Sequence, residues 1–147
     1  SHGSMAVAAF TVAPEYGDPP EADLVTSDLR RALEGRLDVA ERLERRMRAY
    51  RQSPVPVPVA PPKVTLLDEA SRTATVVEVR AHDAPGLLWR IGRALGDCGL
   101  DVRAARVETL GAEAVDVFYV VDSSGGPVGG SRIRGKIAAQ VLAALTG

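Results

Sequence analysis

The chain has 147 residues, enough for one good hydrophobic core plus an appendage. Its net charge of −1 implies no strong pull toward nucleic acid or an anionic membrane, and no apolar run reaches membrane-spanning length. One cysteine, Cys98, excludes an intrachain disulfide, and two histidines, His2 and His82, exclude a multi-histidine metal site within one chain.

Ser1-His2-Gly3-Ser4 reads as an expression scar, so residues 1–5 stand outside the fold and His2 has no role. Ala6 to Val12 has strand character. A helix follows, roughly Glu21 to Glu34, with Val25, Leu29 and Leu33 on one face. Gly35 separates it from a second helix, Asp38 to Arg51, which carries Val39, Leu43, Met47 and Tyr50 on one stripe. That helix is dense in Arg and Glu, but the signs are interleaved, as in Glu41 with Arg45 and Glu44 with Arg48. Such a pattern fits a solvated face better than a nucleic-acid surface. Residues 53–62 form a Pro-rich linker, in which Ser53-Pro54-Val55-Pro56-Val57-Pro58 is extended chain.

From Lys63 onward the order is strand, strand, helix, strand, strand, helix. Lys63 to Leu67 and Thr73 to His82 are β-rich runs joined by a hairpin-length connection. In the second run, Val77, Val79 and Ala81 share one face, and Glu78, Arg80 and His82 the other. Asp83-Ala84-Pro85-Gly86-Leu87-Leu88 then opens a helix, Pro85 to Cys98. Pro85 suits a first turn because its φ is fixed and it has no N–H to donate. Gly86 lets another backbone or a small ligand come close. First-turn N–H groups at a strand end make a ready place for a carboxylate. Leu88, Ile91 and Leu95 form the helix stripe, with Leu87 and Ala94 beside them, and Gly99 is a left-handed stop. Leu100 to Thr109 is a strand whose apolar face shifts between Val102 and Ala105, as at a β-bulge. Glu113 to Val121 is the last strand. Ser131 is a candidate N-cap for a helix striped by Ile133, Ile137, Val141 and Leu145.

Residues 63–147 resemble an ACT domain, an α+β, ferredoxin-like module that binds amino acids in metabolic regulators. The resemblance rests on the Asp83 to Leu88 turn, on Gly99-Leu100-Asp101-Val102, and on Asp116-Val117-Phe118-Tyr119-Val120. The usual βαββαβ order is replaced by a permuted ββαββα order, in which Lys63 to Leu67 takes the sheet position of the missing last strand. That order is similar to the C-terminal ACT domain of the bacterial PII uridylyltransferase (uridylyl-removing enzyme) family. An internal repeat extends the resemblance. Ala6-Val7-Ala8-Ala9-Phe10-Thr11-Val12 is similar to Ala114-Val115-Asp116-Val117-Phe118-Tyr119-Val120, and Gly17 and Pro19 recur as Gly125 and Pro127. Residues 6–52 are therefore expected to be the remnant of a first ACT domain plus a connecting helix.

The resemblance implies a site. In ACT domains an amino acid lies between the first strand-to-helix turn of one module and the start of the second strand of a partner module. Carried over, this gives His82, Asp83, Ala84, Pro85, Gly86, Leu87 and Leu88 on one side, and Leu100, Asp101 and Val102 on the other. Asp83 or Asp101 could accept from the ligand's ammonium, and N–H groups near Gly86 to Leu88 could bind its carboxylate. Asp83 could equally serve only as a helix cap, Asp101 only as a polar strand end, and Trp89 only as an interface or surface residue. No P-loop, GxGxxG, HExxH or GxSxG is present, so no catalytic, metal or cofactor residue is assigned. The glycines at 125, 126, 129 and 130 suggest a flexible loop rather than a phosphate cradle.

The expected function is regulatory amino-acid sensing, with L-glutamine implied by the family, in a cytoplasmic PII-protein nucleotidyltransferase of nitrogen regulation. Homo-oligomerisation through the ACT sheets is expected, with no nucleic acid and no membrane. The alternative is a ligand-free ACT-like pairing module. An RNA-binding sheet is disfavoured because Phe118 and Tyr119 are adjacent and face opposite sides.

Overall fold

The computed structural model describes residues 9, 11, 17–51, 60–67 and 71–146. Most of the expected strand Ala6 to Val12 and of the Pro-rich linker lies outside them. The chain divides into two compact units, Ser1–Glu41 and Arg42–Gly147.

The first unit contains α1 (Ala22–Leu33). It ends as the sequence predicts, on Gly35 at φ +69°, with the Arg36 N–H bonded to the Arg31 carbonyl and the Gly35 N–H to that of Ala32. Its apolar stripe is exposed, and Leu33 is 80% accessible. Helix α2 (Val39–Arg51) starts in this unit, where the Asp38 carboxylate accepts from the Glu41 N–H at 2.9 Å, an N-cap bond.

The second unit holds the remainder of α2 and one four-stranded antiparallel sheet. Its elements are β1 (Lys63–Leu67), β2 (Thr75–His82), α3 (Leu87–Asp97), β3 (Asp101–Leu110), β4 (Glu113–Val121) and α4 (Ser131–Thr146). The spatial order is β1-β2-β4-β3. β1 pairs with β2 as expected, Leu66 opposite Val77 and Val64 opposite Val79. The expected bulge is present, because the β3–β4 register shifts between Val102 and Ala104. Directly paired residues share a face. One face therefore carries Val77 and Phe118, then Val79, Asp116 and Val107, then Ala81, Ala114 and Thr109. Helices α3 and α4 pack on this face with Leu87, Ile91, Ala94, Leu95, Ile137 and Val141. Ile91 and Leu95 are fully buried, and each contributes about 1.5–3 kcal/mol by leaving water.

Three local expectations change. α3 starts at Leu87 rather than Pro85, because Gly86 sits at φ +82° and cannot be a helical residue. Its buried stripe therefore runs through Leu87, and Leu88 is 46% exposed. α4 includes Ser131 as its first residue instead of being capped by it, and Ile133 faces solvent. The stop at Gly99 holds: the Leu100 N–H bonds to the Leu95 carbonyl, the Gly99 N–H bonds to that of Gly96, and Leu100 turns into the core.

Candidate functional site

β2 delivers His82 and Asp83 to the end of the sheet, where the β3–β4 turn meets them. The Asp83 N–H donates to the Ala112 carbonyl at 2.9 Å, and His82 Nδ1 donates to the same oxygen at 2.9 Å. The Tyr50 hydroxyl of α2 lies 3.4 Å from both His82 Nε2 and the Asp83 carbonyl oxygen. Leu43 of α2 faces the Cα of Gly86, at ordinary contact distance from where a Cβ would stand.

The turn opens a cavity of ≈ 400 Å³ between the start of α3 and the sheet. Asp83, Ala84, Gly86, Leu87 and Leu88 line it. Asp83 does not cap the helix: α3 has no side-chain cap, and Asp83 Oδ2 accepts instead from Thr109 Oγ1 at 3.4 Å. The Leu87 N–H is bonded to the Ala84 carbonyl at 3.1 Å, and the first-turn N–H groups after it, uncapped by any side chain, are suited to a ligand's carboxylate.

The cavity also contains residues that the sequence reading did not select: Leu43, Trp89, Val107, Thr109, Ala114 and Asp116. Asp116 is the important one. It lies on the covered face of β4 between Val79 and Val107, with 1% of its surface exposed. Neither carboxylate oxygen has a hydrogen-bond partner. Burial, reinforced by the negative charge of Asp83, pushes its pKa up from 3.8 to about 6; the nearby backbone N–H of Glu108, which does not reach hydrogen-bond geometry, pulls it the other way to a lesser degree. The signal for it was present in the sequence, as a carboxylate in the apolar alternation Ala114, Asp116, Phe118, Val120.

The other half of the expected site lies elsewhere. Asp101 pairs with Val121 and Val102 with Val120, whereas His82 pairs with Glu113. Eight β residues therefore separate the two groups, roughly 25 Å at about 3.3 Å per residue. Within one chain Leu100, Asp101 and Val102 do not join the turn. Leu100 is a core residue, while Asp101 and Val102 are exposed on the edge strand β3.

At that far end lies a larger cavity of ≈ 560 Å³, lined by Arg72, Thr75, Val128 and Arg134 among others. Two of its polar groups are already engaged, since Thr75 Oγ1 accepts from the Val128 N–H at 2.8 Å and Arg134 donates to the Leu67 carbonyl. The glycine-rich loop beside it is an internally bonded turn. Asp122 Oδ1 accepts from the Ser124 and Gly126 N–H groups, and the bonds with Ser124 hold its pKa below the usual value. Among the described residues, no group of three or more His, Cys, Asp or Glu side chains could hold a metal ion, and no helix is long and apolar enough to cross a membrane.

Comparison with known proteins agrees with this architecture. Residues 75–134 match the family model described as "ACT domain". The chain is 52% identical over 129 residues to a bifunctional uridylyltransferase/uridylyl-removing enzyme of Streptomyces coelicolor, covering 87% of this chain and 15% of that protein. A protein of the same name from Mycobacterium tuberculosis is 38% identical over 131 residues, covering 81% of this chain and 16% of its own length. A third, from Phenylobacterium zucineum, is 45% identical over 85 residues, covering 58% of this chain and 9% of its own length. The chain thus spans about one sixth or less of the length of the first relatives it matches. The domain around residues 75–134 is a member of the ACT family, in a chain similar over most of its length to a stretch of bifunctional uridylyltransferase/uridylyl-removing enzymes.

Proposed function

We propose that this chain is the amino-acid-sensing region of a PII-protein nucleotidyltransferase, with L-glutamine as its ligand. The observation that carries the reading is the cavity at the β2–α3 turn. It combines an uncapped helix start, two carboxylates and apolar walls in a volume that suits one amino acid. The relatives' names supply the larger setting: a uridylyltransferase that is also a uridylyl-removing enzyme needs a signal to choose between opposed activities. Glutamine reports nitrogen sufficiency. It can bias that choice only by binding one arrangement of the enzyme better than the other. In this reading the enzyme works in the cytoplasm, PII is its protein partner, and ACT sheets associate so that Asp101 and Val102 of one module face the turn of another.

Calorimetry with a panel of free L-amino acids tests the reading. Saturable heat with glutamine, stronger than with the rest of the panel, supports it; no heat with any of them at millimolar concentration opposes it. A second reading, a ligand-free pairing module, is favoured by the exposure of all ten residues of the edge strand β3. It expects association without any amino-acid heat.

A further inference from the structure

Among the described residues, the buried polar side chains are Thr75 and Asp116. Thr75 is satisfied by the Val128 N–H. Asp116 is not satisfied, and a buried carboxylate without a donor costs several kcal/mol unless it is neutralised or paired. The fold thus holds an acid against its own stability, at the boundary of a cavity large enough for a small molecule.

The charges around it set what it could pair with. Among the described residues, Asp83 is the other ionisable side chain lining the cavity, and no Lys, Arg or His lines it. On β2 and β3 the residues beside Asp116 are Val79 and Val107, both apolar. Glu108 offers only its backbone, because its side chain pairs with Arg106 on the opposite face. From α3, Arg90 lines a different cavity, with Glu44 and Arg48 of α2. Among the described residues the cavity holds two carboxylates and no cation, which leaves room for a cation from outside.

We propose that Asp116 is the cation anchor of this cavity, receiving the ammonium group of a bound primary amine, so that a free amino group is the essential recognition element of the ligand. The proposal rests on the amino-acid reading of the turn cavity and fixes which end of the ligand goes where: ammonium to Asp116 on the sheet, carboxylate to the start of α3. Where Asp116 is protonated, its proton passes to solvent as the ammonium takes its place, and the ligand keeps its three N–H protons. Binding therefore weakens as pH falls through about 6.

The test titrates the chain at pH 7.5 and pH 5 with three probes. These are L-glutamine, 4-aminobutanamide (glutamine without its carboxyl group) and N-acetyl-L-glutamine. The first two should bind and the acetylated one should not. Affinity for the amines should be about tenfold weaker at pH 5. Asp116→Asn should weaken binding at pH 7.5 by about ten- to a hundredfold and flatten its pH dependence. The probe and pH comparisons use unaltered protein, so they decide the question even if the variant folds poorly. Binding of 4-aminobutanamide without glutamine would overturn the amino-acid reading and keep the anchor. Equal binding of the acetylated probe, or Asp116→Asn binding like the parent, would overturn the anchor and keep the amino-acid reading. Failure of both amines to bind would overturn both.

Discussion

Replacing Asp116 with Asn should stabilise the domain at neutral pH while impairing its site. The carboxyl group ionises at about 6 in the folded state against 3.8 for the free side chain. At 1.36 kcal/mol per pKa unit, that difference corresponds to about 3 kcal/mol. The folded form holds the proton more tightly than the unfolded chain. The group's favourable contribution is therefore complete below pH 3.8 and is lost as pH rises through about 6. Asn has nearly the same shape and no charge to bury, so the variant avoids the loss. Urea unfolding followed by circular dichroism, at intervals from pH 4 to pH 7.5, measures this directly. The stability of the variant minus that of the parent should rise with pH by up to about 3 kcal/mol. Taking the difference matters because Asp122, whose pKa is lowered by its bonds to Ser124, stabilises in the opposite sense and loses its contribution as pH falls. Parallel profiles for parent and variant would refute the reasoning, since Asp116 would then carry no linkage between folding and protonation.

Other outcomes follow from particular contacts. Gly86→Val should cost about 1–2 kcal/mol of stability, because φ +82° is left-handed backbone; the Cβ itself would meet Leu43 only at ordinary distance. An unchanged urea midpoint would show that the turn relaxes. Thr75→Val should cost about 1–3 kcal/mol by stranding the buried Val128 N–H, readable as a lower melting temperature. Sedimentation velocity at rising concentration should show dimers or larger species, because β3 offers an unpaired edge of ten exposed residues; a monomer at high concentration would count against sheet-mediated association.

Much of the fold was legible in the sequence because several local signals agreed. The alternation Val77, Val79, Ala81 marked β2, and the apolar shift after Val102 marked the bulge. Gly35 and Gly99 marked helix ends at which only a left-handed residue fits. The start of α3 was misplaced because proline at a first helical turn is a general preference, while the left-handed conformation of Gly86 depends on its surroundings. The turn that lines the cavity, Asp83, Ala84, Gly86, Leu87 and Leu88, was legible from its motif. Asp116, Val107 and Thr109 were not selected, because strand pairing brings them to the turn from more than twenty residues away in sequence. Periodicity places a residue on a face; it does not say that a carboxylate there lacks a partner.

The most direct measurement of the central claim is an amide chemical-shift titration of the chain with L-glutamine at pH 7.5. Saturable shifts should centre on Asp83 to Trp89, Val107 to Thr109 and Ala114 to Asp116, the residues around the turn cavity. An absence of shifts, or shifts gathered at the opposite end of the sheet around Arg72, Thr75 and Val128, would contradict it.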